Sequence, residues 1–91
     1  MRLVVLPGGD LLASARAIDG ESLVIILPSS LGSAEAKLAR ASIELLAVER
    51  APRGRVNAVL PRPAAEPADV EAAIGFLDRA TSTTGQLIEL N

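Results

Sequence analysis

The 91-residue sequence contains no cysteine, histidine, tyrosine or tryptophan, and only one phenylalanine. The missing cysteines and histidines exclude the usual zinc and iron–sulfur ligand sets, disulfide bonds, thiol nucleophiles and imidazole acid–base catalysis. The near absence of aromatic side chains removes the stacking platforms on which single-stranded nucleic acids bind. We therefore expect no metal site, and the composition argues against a self-sufficient enzyme.

Charge gives no sign of a nucleic-acid partner, because nine basic and eleven acidic residues leave a net charge of -2 and nucleic-acid binders normally carry a basic surplus. No apolar run approaches the roughly 20 residues of a membrane span, so no membrane partner is expected. The apolar start, residues 1–6, meets Pro7 before it reaches the length of a signal-peptide core. These features predict a soluble cytoplasmic protein.

Strand-like and helix-like patterns alternate along the chain. The four strand-like segments are residues 3–6, 23–27, 55–60 and 86–90. The first two are continuous, β-branched runs ended by proline, which is typical of parallel strands buried on both faces. Between the strands we predict a short helix over 11–19 capped by Asp10, a long helix from Ser33, and a third from Pro67. The order β-α-β-α-β-α-β predicts an α/β fold, one domain over residues 1–91 with a four-stranded parallel sheet and right-handed crossovers.

The long helix carries two apolar stripes. The first stripe comprises Ala34, Leu38, Ala41, Leu45 and Val48. The second comprises Ala36, Ala39, Ile43 and Leu46. A helix that only covered a sheet would need one stripe, so two indicate packing both on the sheet and against another helix or a partner subunit. We predict that the second stripe, with Ile43 and Leu46, faces a partner.

The second half of the sequence resembles the short-chain dehydrogenase/reductase family. Residues 46–61, LAVERAPRGRVNAVLP, are similar to that family's helix end and next strand, "LA-x-E-x-AP-x-G" followed by "RVNAV-x-PG". Residues 73–90 are similar to its "FL-x-S…TGQ-x-I-x-VDGG" ending, and residues 23–32 resemble the strand that delivers the catalytic serine. The resemblance covers residues 22–90 and implies a truncated Rossmann-like fold, since the family's enzymes are longer chains.

The family's cofactor turn has no counterpart in this sequence. That turn is glycine-rich, so that the backbone can approach the cofactor pyrophosphate at a helix N-terminus. Here residues 8–9 form the only glycine pair, the third glycine is missing, and a strand-ending turn explains the pair better. We therefore predict no cofactor and no cofactor-binding residue.

The family's catalytic Tyr-x-x-x-Lys pair is also missing. The resemblance places it at Gly32 and Ala36, or at Ser33 and Lys37 in the neighbouring register, and the chain has no tyrosine to transfer the proton. Ser30 matches the family's serine as a vestige at most, because a serine after a strand is more often a cap or turn residue. No catalytic residue is predicted.

The leading functional hypothesis is a degenerate, non-catalytic subunit that acts through oligomerisation. The resemblance implies assembly through the long helix and through the last strand with its preceding helix. The partner would be a second copy or a full-length, active dehydrogenase/reductase. The predicted interface residues are Ile43, Leu46, Leu87, Ile88 and Leu90. Edge strands favour such pairing because their backbone groups are unpaired.

Two alternatives belong to other functional classes. The chain could be a fragment or subunit of an NAD(P)-dependent oxidoreductase, completed in trans by a chain that carries the missing tyrosine and glycine-rich turn. It could instead be a small α/β ligand-binding domain, since ligands of such sheets lie beyond the carboxyl ends of the strands. Those ends fall at residues 7–9, 28–30 and 61–62, where Arg62 could meet an anion.

Overall fold

The computed structural model describes residues 1–91, and strands alternate with helices throughout. The elements are β1 (Arg2–Val4), α1 (Leu11–Arg16), β2 (Ser22–Ile26), α2 (Ser33–Arg50), β3 (Arg55–Pro61), α3 (Pro67–Arg79) and β4 (Leu87–Leu90). Asp10 caps α1 as predicted, its Oδ1 accepting a hydrogen bond from the Ala13 N–H at 3.0 Å, and Pro67 opens α3. The predicted α/β class and element order are confirmed, although α1 ends three residues earlier than expected.

All four strands are parallel and lie in the order β1-β2-β3-β4. The central strands β2 and β3 are buried on both faces, which explains their continuous apolar runs. The same prediction is wrong for β1, because this strand lies at an edge of the sheet and the side chain of Val4 is 64% exposed. β4 forms the opposite edge, as predicted for the last strand.

The helices cover the two faces of the sheet unequally. α1 and α2 pack on one face, over the larger cluster of 13 buried residues, which includes Ile25, Ile43 and Leu60. α3 packs alone on the other face, over a cluster of four: Val24, Val59, Ile74 and Leu77. Arg2 of β1 reaches α3 through its guanidinium, which makes two hydrogen bonds to the Glu71 carboxylate at 2.7 and 2.9 Å.

The last crossover connection differs in hand from the first two. Successive strands lie side by side in one direction, so helices on the same face imply connections of the same hand, and α3 lies on the opposite face from α1 and α2. The prediction of uniformly right-handed crossovers is therefore wrong, since one hand cannot describe all three connections. Val24 and Val59 supply the physical reason: they point away from α2 and need a cover, which only α3 provides.

Two half-buried arginines connect the layers. Arg50, at the end of α2, donates to the carbonyl oxygens of Ala15 and Ile18 and so holds the end of α1. Arg55, at the start of β3, donates to the carbonyl oxygens of Leu77 and Ala80 at the end of α3. These contacts give structural roles to two of the four arginines between residues 50 and 62. None of the three helices has the length and apolarity that crossing a membrane would require.

Candidate functional site on the outer face of the long helix

α2 is the longest element of the chain, with 18 residues from Ser33 to Arg50. Its composition favours a helix, because alanine, leucine, glutamate, lysine and arginine are the strongest helix formers. Glu35 closes the first turn by accepting a hydrogen bond from the Gly32 N–H at 3.2 Å, and Pro52 follows the last turn. At about 1.5 Å per residue the helix spans roughly 27 Å and so provides a continuous surface.

The orientation of the two apolar stripes of α2 is the reverse of the prediction: the second stripe faces the sheet and the first stripe is exposed. Ile43 and Leu46 are completely buried against the sheet, so the prediction that their stripe faces a partner is wrong. The residues beside them, Ala39 and Ala47, are also buried. Ile43 and Leu46 are therefore core residues.

The exposed side of α2 carries the other stripe, which comprises Ala34, Leu38, Ala41, Leu45 and Val48. Leu38 is 70%, Leu45 46% and Val48 75% exposed. The spacings of four, three, four and three residues are those of a coiled-coil seam, in which side chains fit between those of a second helix. Single exposed leucines are ordinary on protein surfaces, whereas a contiguous apolar stripe of this length is typical of an interaction surface. We call these five residues the outer stripe.

Charged residues flank the outer stripe on both sides. Lys37 and Glu44 lie on the flank that points toward β4, and neither forms an ion pair within the chain. Glu49 lies on the other flank, where its carboxylate receives hydrogen bonds from Arg16 at 2.7 and 3.2 Å. The hydrogen bonds from Arg16 lower the pKa of Glu49 below its ordinary value and raise that of Arg16. Only the first flank thus offers uncommitted charges to a partner.

A cleft of about 250 Å³ lies beside the first half of α2. Its walls are mainly apolar and include Leu6, Leu11 and Leu31, while Leu38 and Ser42 form its border with the outer stripe. The cleft exists because α1 has only six residues and covers only the second half of α2. The sequence analysis did not predict this cleft. The signal for it was the short segment between the cap Asp10 and Gly20, which leaves room only for a short α1.

β4 contributes the other predicted interface residues. Leu87 is buried beneath the α2 side of the sheet. Ile88 and Leu90 are half-buried on the α3 side. β4 has no neighbour beyond it, so its outer backbone groups are unpaired, but the role of Leu87, Ile88 and Leu90 in an interface stays a prediction.

The loops beyond the carboxyl ends of the strands hold the positions that the resemblance assigned to chemistry. Ser30 lies exposed in a turn, and Gly32 and Ser33 are exposed at the start of α2. Arg62 donates to the carbonyl oxygen of Leu31 at 2.8 Å and to the carboxylate of Glu89 at 2.6 Å. Arg62 therefore connects the loop after β2 to β4, and an additional role in binding an anion stays a prediction.

A comparison with protein families identifies a match. The model of a family named "SDR-like" and described as "Short chain dehydrogenase-like protein" matches residues 9–90. No curated protein and no solved structure matches the chain. The matched stretch confirms the resemblance found in residues 22–90 and extends it to α1. With nearly its whole length matched and a parallel α/β sheet of the expected order, the chain belongs to the short chain dehydrogenase-like family.

Proposed function

We propose that this family member is a non-catalytic, cytoplasmic subunit that assembles with other subunits through the outer stripe of α2. The partner is a second copy of the chain or an active dehydrogenase/reductase. The observation that carries the proposal is the pair of stripes on one helix. Ile43 and Leu46 already supply the contacts that hold α2 on the sheet, so the outer stripe is not required for covering the core.

Burial energetics support an interface of this kind. Completely burying a leucine or valine side chain contributes about 1.5–3 kcal/mol relative to leaving it in water. Leu38, Leu45 and Val48 are each between about half and three-quarters exposed, and association itself costs at least about 4 kcal/mol. A partner must therefore engage most of the outer stripe at once, which an extended surface such as a second helix can do.

The positions matched to the family's chemistry support a non-catalytic role. Catalysis in the resembled enzymes depends on a tyrosine that transfers a proton and on a lysine four residues later. Gly32 and Ala36 occupy these positions here, and the neighbouring register offers Ser33 and Lys37, both exposed. An exposed serine and lysine lack the desolvated setting that activates such groups.

The proposal is tested by placing a charge in the outer stripe. Leu45→Glu introduces a carboxylate into the proposed contact. It should abolish self-association, or binding to an active dehydrogenase of the same cell. Sedimentation velocity measures both kinds of assembly. Phe76→Glu on α3 is the matched control, since Phe76 is a comparably exposed apolar residue at 57%. Loss of assembly in both variants, or in neither, would contradict the proposal.

Titration with NADH and NADPH separates the proposal from the oxidoreductase alternative. The isolated chain should not bind either nucleotide, because the third glycine of the family's cofactor turn is missing from the glycine pair before α1. Isothermal titration calorimetry measures this binding. Saturable binding of NADH or NADPH by the isolated chain would support the alternative of an oxidoreductase subunit instead.

A further inference from the structure

We propose that the chain binds a small organic dianion, a phosphate monoester or a dicarboxylate, in a cleft between the first half of α2 and the carboxyl ends of β3 and β4. The cleft has a volume of about 270 Å³. Its lining residues, which define what we call the basic cleft, are Ser33, Ala36, Lys37, Arg40, Leu60, Arg62, Leu87 and Glu89. The proposal goes beyond the proposed function, because binding in this cleft requires no second subunit.

Two of the three cations in the basic cleft have no ionic partner within the chain. Ser33, Lys37 and Arg40 follow one another at spacings of four and three residues, so they lie on one side of α2. Lys37 and Arg40 are exposed, and neither forms an ion pair with a carboxylate of the chain. Their two positive charges are therefore available to a ligand.

Arg62 supplies the third cation, and the fold holds it in place. Its Nε donates to the Glu89 carboxylate at 2.6 Å, and its Nη1 donates to the carbonyl oxygens of Leu31 at 2.8 Å and Ser29 at 3.3 Å. Its side chain is only 26% exposed, and Nη2 takes part in none of these hydrogen bonds. Because Arg62 already compensates Glu89, the only acidic residue that lines the basic cleft, the charges of Lys37 and Arg40 are left uncompensated.

The basic cleft also has an apolar part. Leu60 and Leu87 belong to the buried cluster on the α2 side of the sheet, and both line the cleft together with Ala36. An apolar group placed against them is removed from water, which favours binding. The volume lies just below the roughly 300–1,000 Å³ of pockets that hold drug-sized ligands. The lining therefore fits a dianion with a short carbon skeleton.

A second polar depression, at the opposite end of α2, does not have this excess of positive charge. Its charged lining residues are three arginines and three carboxylates: Arg16, Arg50, Arg53, Asp19, Glu21 and Glu49. Arg16 is paired with Glu49 at 2.7 Å, and Arg50 donates to backbone carbonyl oxygens. Of these two depressions, only the basic cleft has the charge balance that favours an anion.

Chemical-shift titration of the ¹⁵N-labelled chain near pH 7 tests the proposal, because it reports both the affinity and the location of binding. The probes are phenyl phosphate, a monoester with a charge of about −1.5 to −2, and succinate, a dicarboxylate. At least one should give a saturable curve, with the shifts concentrated at residues 33–40, 60–62 and 87–89. The probe that binds more tightly identifies the anionic group. Saturation by neither probe, or shifts concentrated elsewhere, would overturn the proposal.

Two simpler probes separate the contribution of the charge from that of the apolar group. Inorganic phosphate has no apolar group and benzyl alcohol has no charge, so both should bind more weakly than phenyl phosphate. If inorganic phosphate bound as tightly as phenyl phosphate, the apolar lining would not contribute, and the organic character of the ligand would be overturned.

Matched double variants test which cations hold the ligand. Lys37→Gln with Arg40→Gln should weaken binding of the better probe roughly 3- to 30-fold, as expected from the loss of two ion pairs of ordinary strength. Arg53→Gln with Arg79→Gln is the control, because it removes the same charge from two exposed arginines without ion pairs. This control should retain the wild-type affinity within about twofold, since distant charges are screened.

Equal weakening in the two double variants would indicate only a general attraction of anions to the chain and would overturn the basic cleft as the site. All four replaced side chains are exposed, so both variants should keep the circular dichroism spectrum of the wild type. The result is independent of the proposed function: a chain that assembles but binds neither dianion overturns only this proposal, and a monomeric chain that binds one overturns only the proposed assembly.

Discussion

Arg16 of α1 and Glu49 of α2 form a double hydrogen bond that joins the two helices on one face of the sheet, with N···O distances of 2.7 and 3.2 Å. The pair lies at the end of α2 that α1 covers, opposite the cleft. Together with the hydrogen bonds from Arg50 to the Ala15 and Ile18 carbonyl oxygens, it determines which half of α2 is covered within the chain and which half is left open.

The Arg16–Glu49 pair predicts a pH dependence of stability. Hydrogen bonding to Arg16 lowers the pKa of Glu49 in the folded chain below the ordinary value of 4.5. A carboxyl group with a lowered folded-state pKa stabilises the fold fully above its unfolded pKa, and this contribution is lost as the pH falls through the lowered value. The stability difference between wild type and Glu49→Gln should therefore narrow as the pH falls from 7 to 3.

Thermal unfolding followed by circular dichroism at a series of pH values measures this difference. Glu44→Gln is the control, because Glu44 is exposed and has no ion-pair partner in its own chain. A difference between wild type and Glu49→Gln that stays constant down to pH 3 would show that the pair does not contribute as described.

The buried and exposed stripes of α2 predict that truncating a side chain lowers the free energy of unfolding far more on the inner side of the helix than on the outer side. Ile43 is completely buried, so Ile43→Ala removes core contacts and leaves a cavity, which should lower the free energy of unfolding by about 2–5 kcal/mol. Val48 is 75% exposed, so Val48→Ala should change it by less than about 0.5 kcal/mol. Urea denaturation at high dilution, where any assembly is dissociated, gives both values. Equal losses in the two variants would contradict the observed packing of the helix.

The hydrogen bonds of Asn57 indicate that its replacement destabilises the segment just before β4. Its buried side chain donates from Nδ2 to the Thr83 carbonyl oxygen and accepts at Oδ1 from the Gln86 N–H, both at 3.0 Å. Asn57→Ala leaves these two backbone groups unpaired and should lower the free energy of unfolding by about 1–3 kcal/mol. Hydrogen exchange should accelerate at the Gln86 amide in particular.

Gln86→Ala serves as the control for this experiment, because it keeps the backbone N–H that Asn57 binds and removes only an exposed side chain. If exchange at residue 86 accelerated equally in Gln86→Ala and in Asn57→Ala, the Asn57 amide would not be the group that anchors β4.

The hydrogen bonds of Arg62 indicate that it stabilises both the loop after β2 and the last strand, β4. It donates to the Leu31 carbonyl oxygen and to the Glu89 carboxylate, so Arg62→Met should increase hydrogen exchange both in the loop and in β4. Glu89→Gln keeps an acceptor oxygen and removes only the charge, and should therefore produce a smaller increase. If hydrogen exchange in the loop and in β4 were unchanged in Arg62→Met, the hydrogen bonds of Arg62 would not stabilise these two segments.

Most of the fold could be predicted from local patterns. β2 and α2 were identified because a continuous β-branched run and an 18-residue helical pattern each have one clear structural solution. The burial of β1 and the hand of the last crossover could not be predicted from local patterns. The first depends on the strand order and the second on which face α3 covers, and a strand's own sequence contains neither piece of information.

The candidate site was predicted only in part. Two stripes on α2 correctly indicated that the helix has an exposed apolar surface besides the one on the sheet, and their composition favoured neither as the inner one. The inner stripe is determined by the packing of Ile43 and Leu46 in the cluster that α2 forms with the sheet, which is a tertiary feature. Arg62 is a similar case, since its partners Leu31 and Glu89 are far from it in sequence and only the sheet brings them together.

The central claim is that the outer stripe of α2 is an assembly surface, and the molar mass of the full chain in solution tests it most directly. Light scattering coupled to size exclusion should give twice the chain mass of 9.4 kDa for the wild type at high concentration, or the mass of a complex when an active dehydrogenase partner is added. The Leu45→Glu variant should give the single-chain mass in both cases. A folded wild-type chain that stays at the single-chain mass at every concentration, with and without the partner, would contradict the claim.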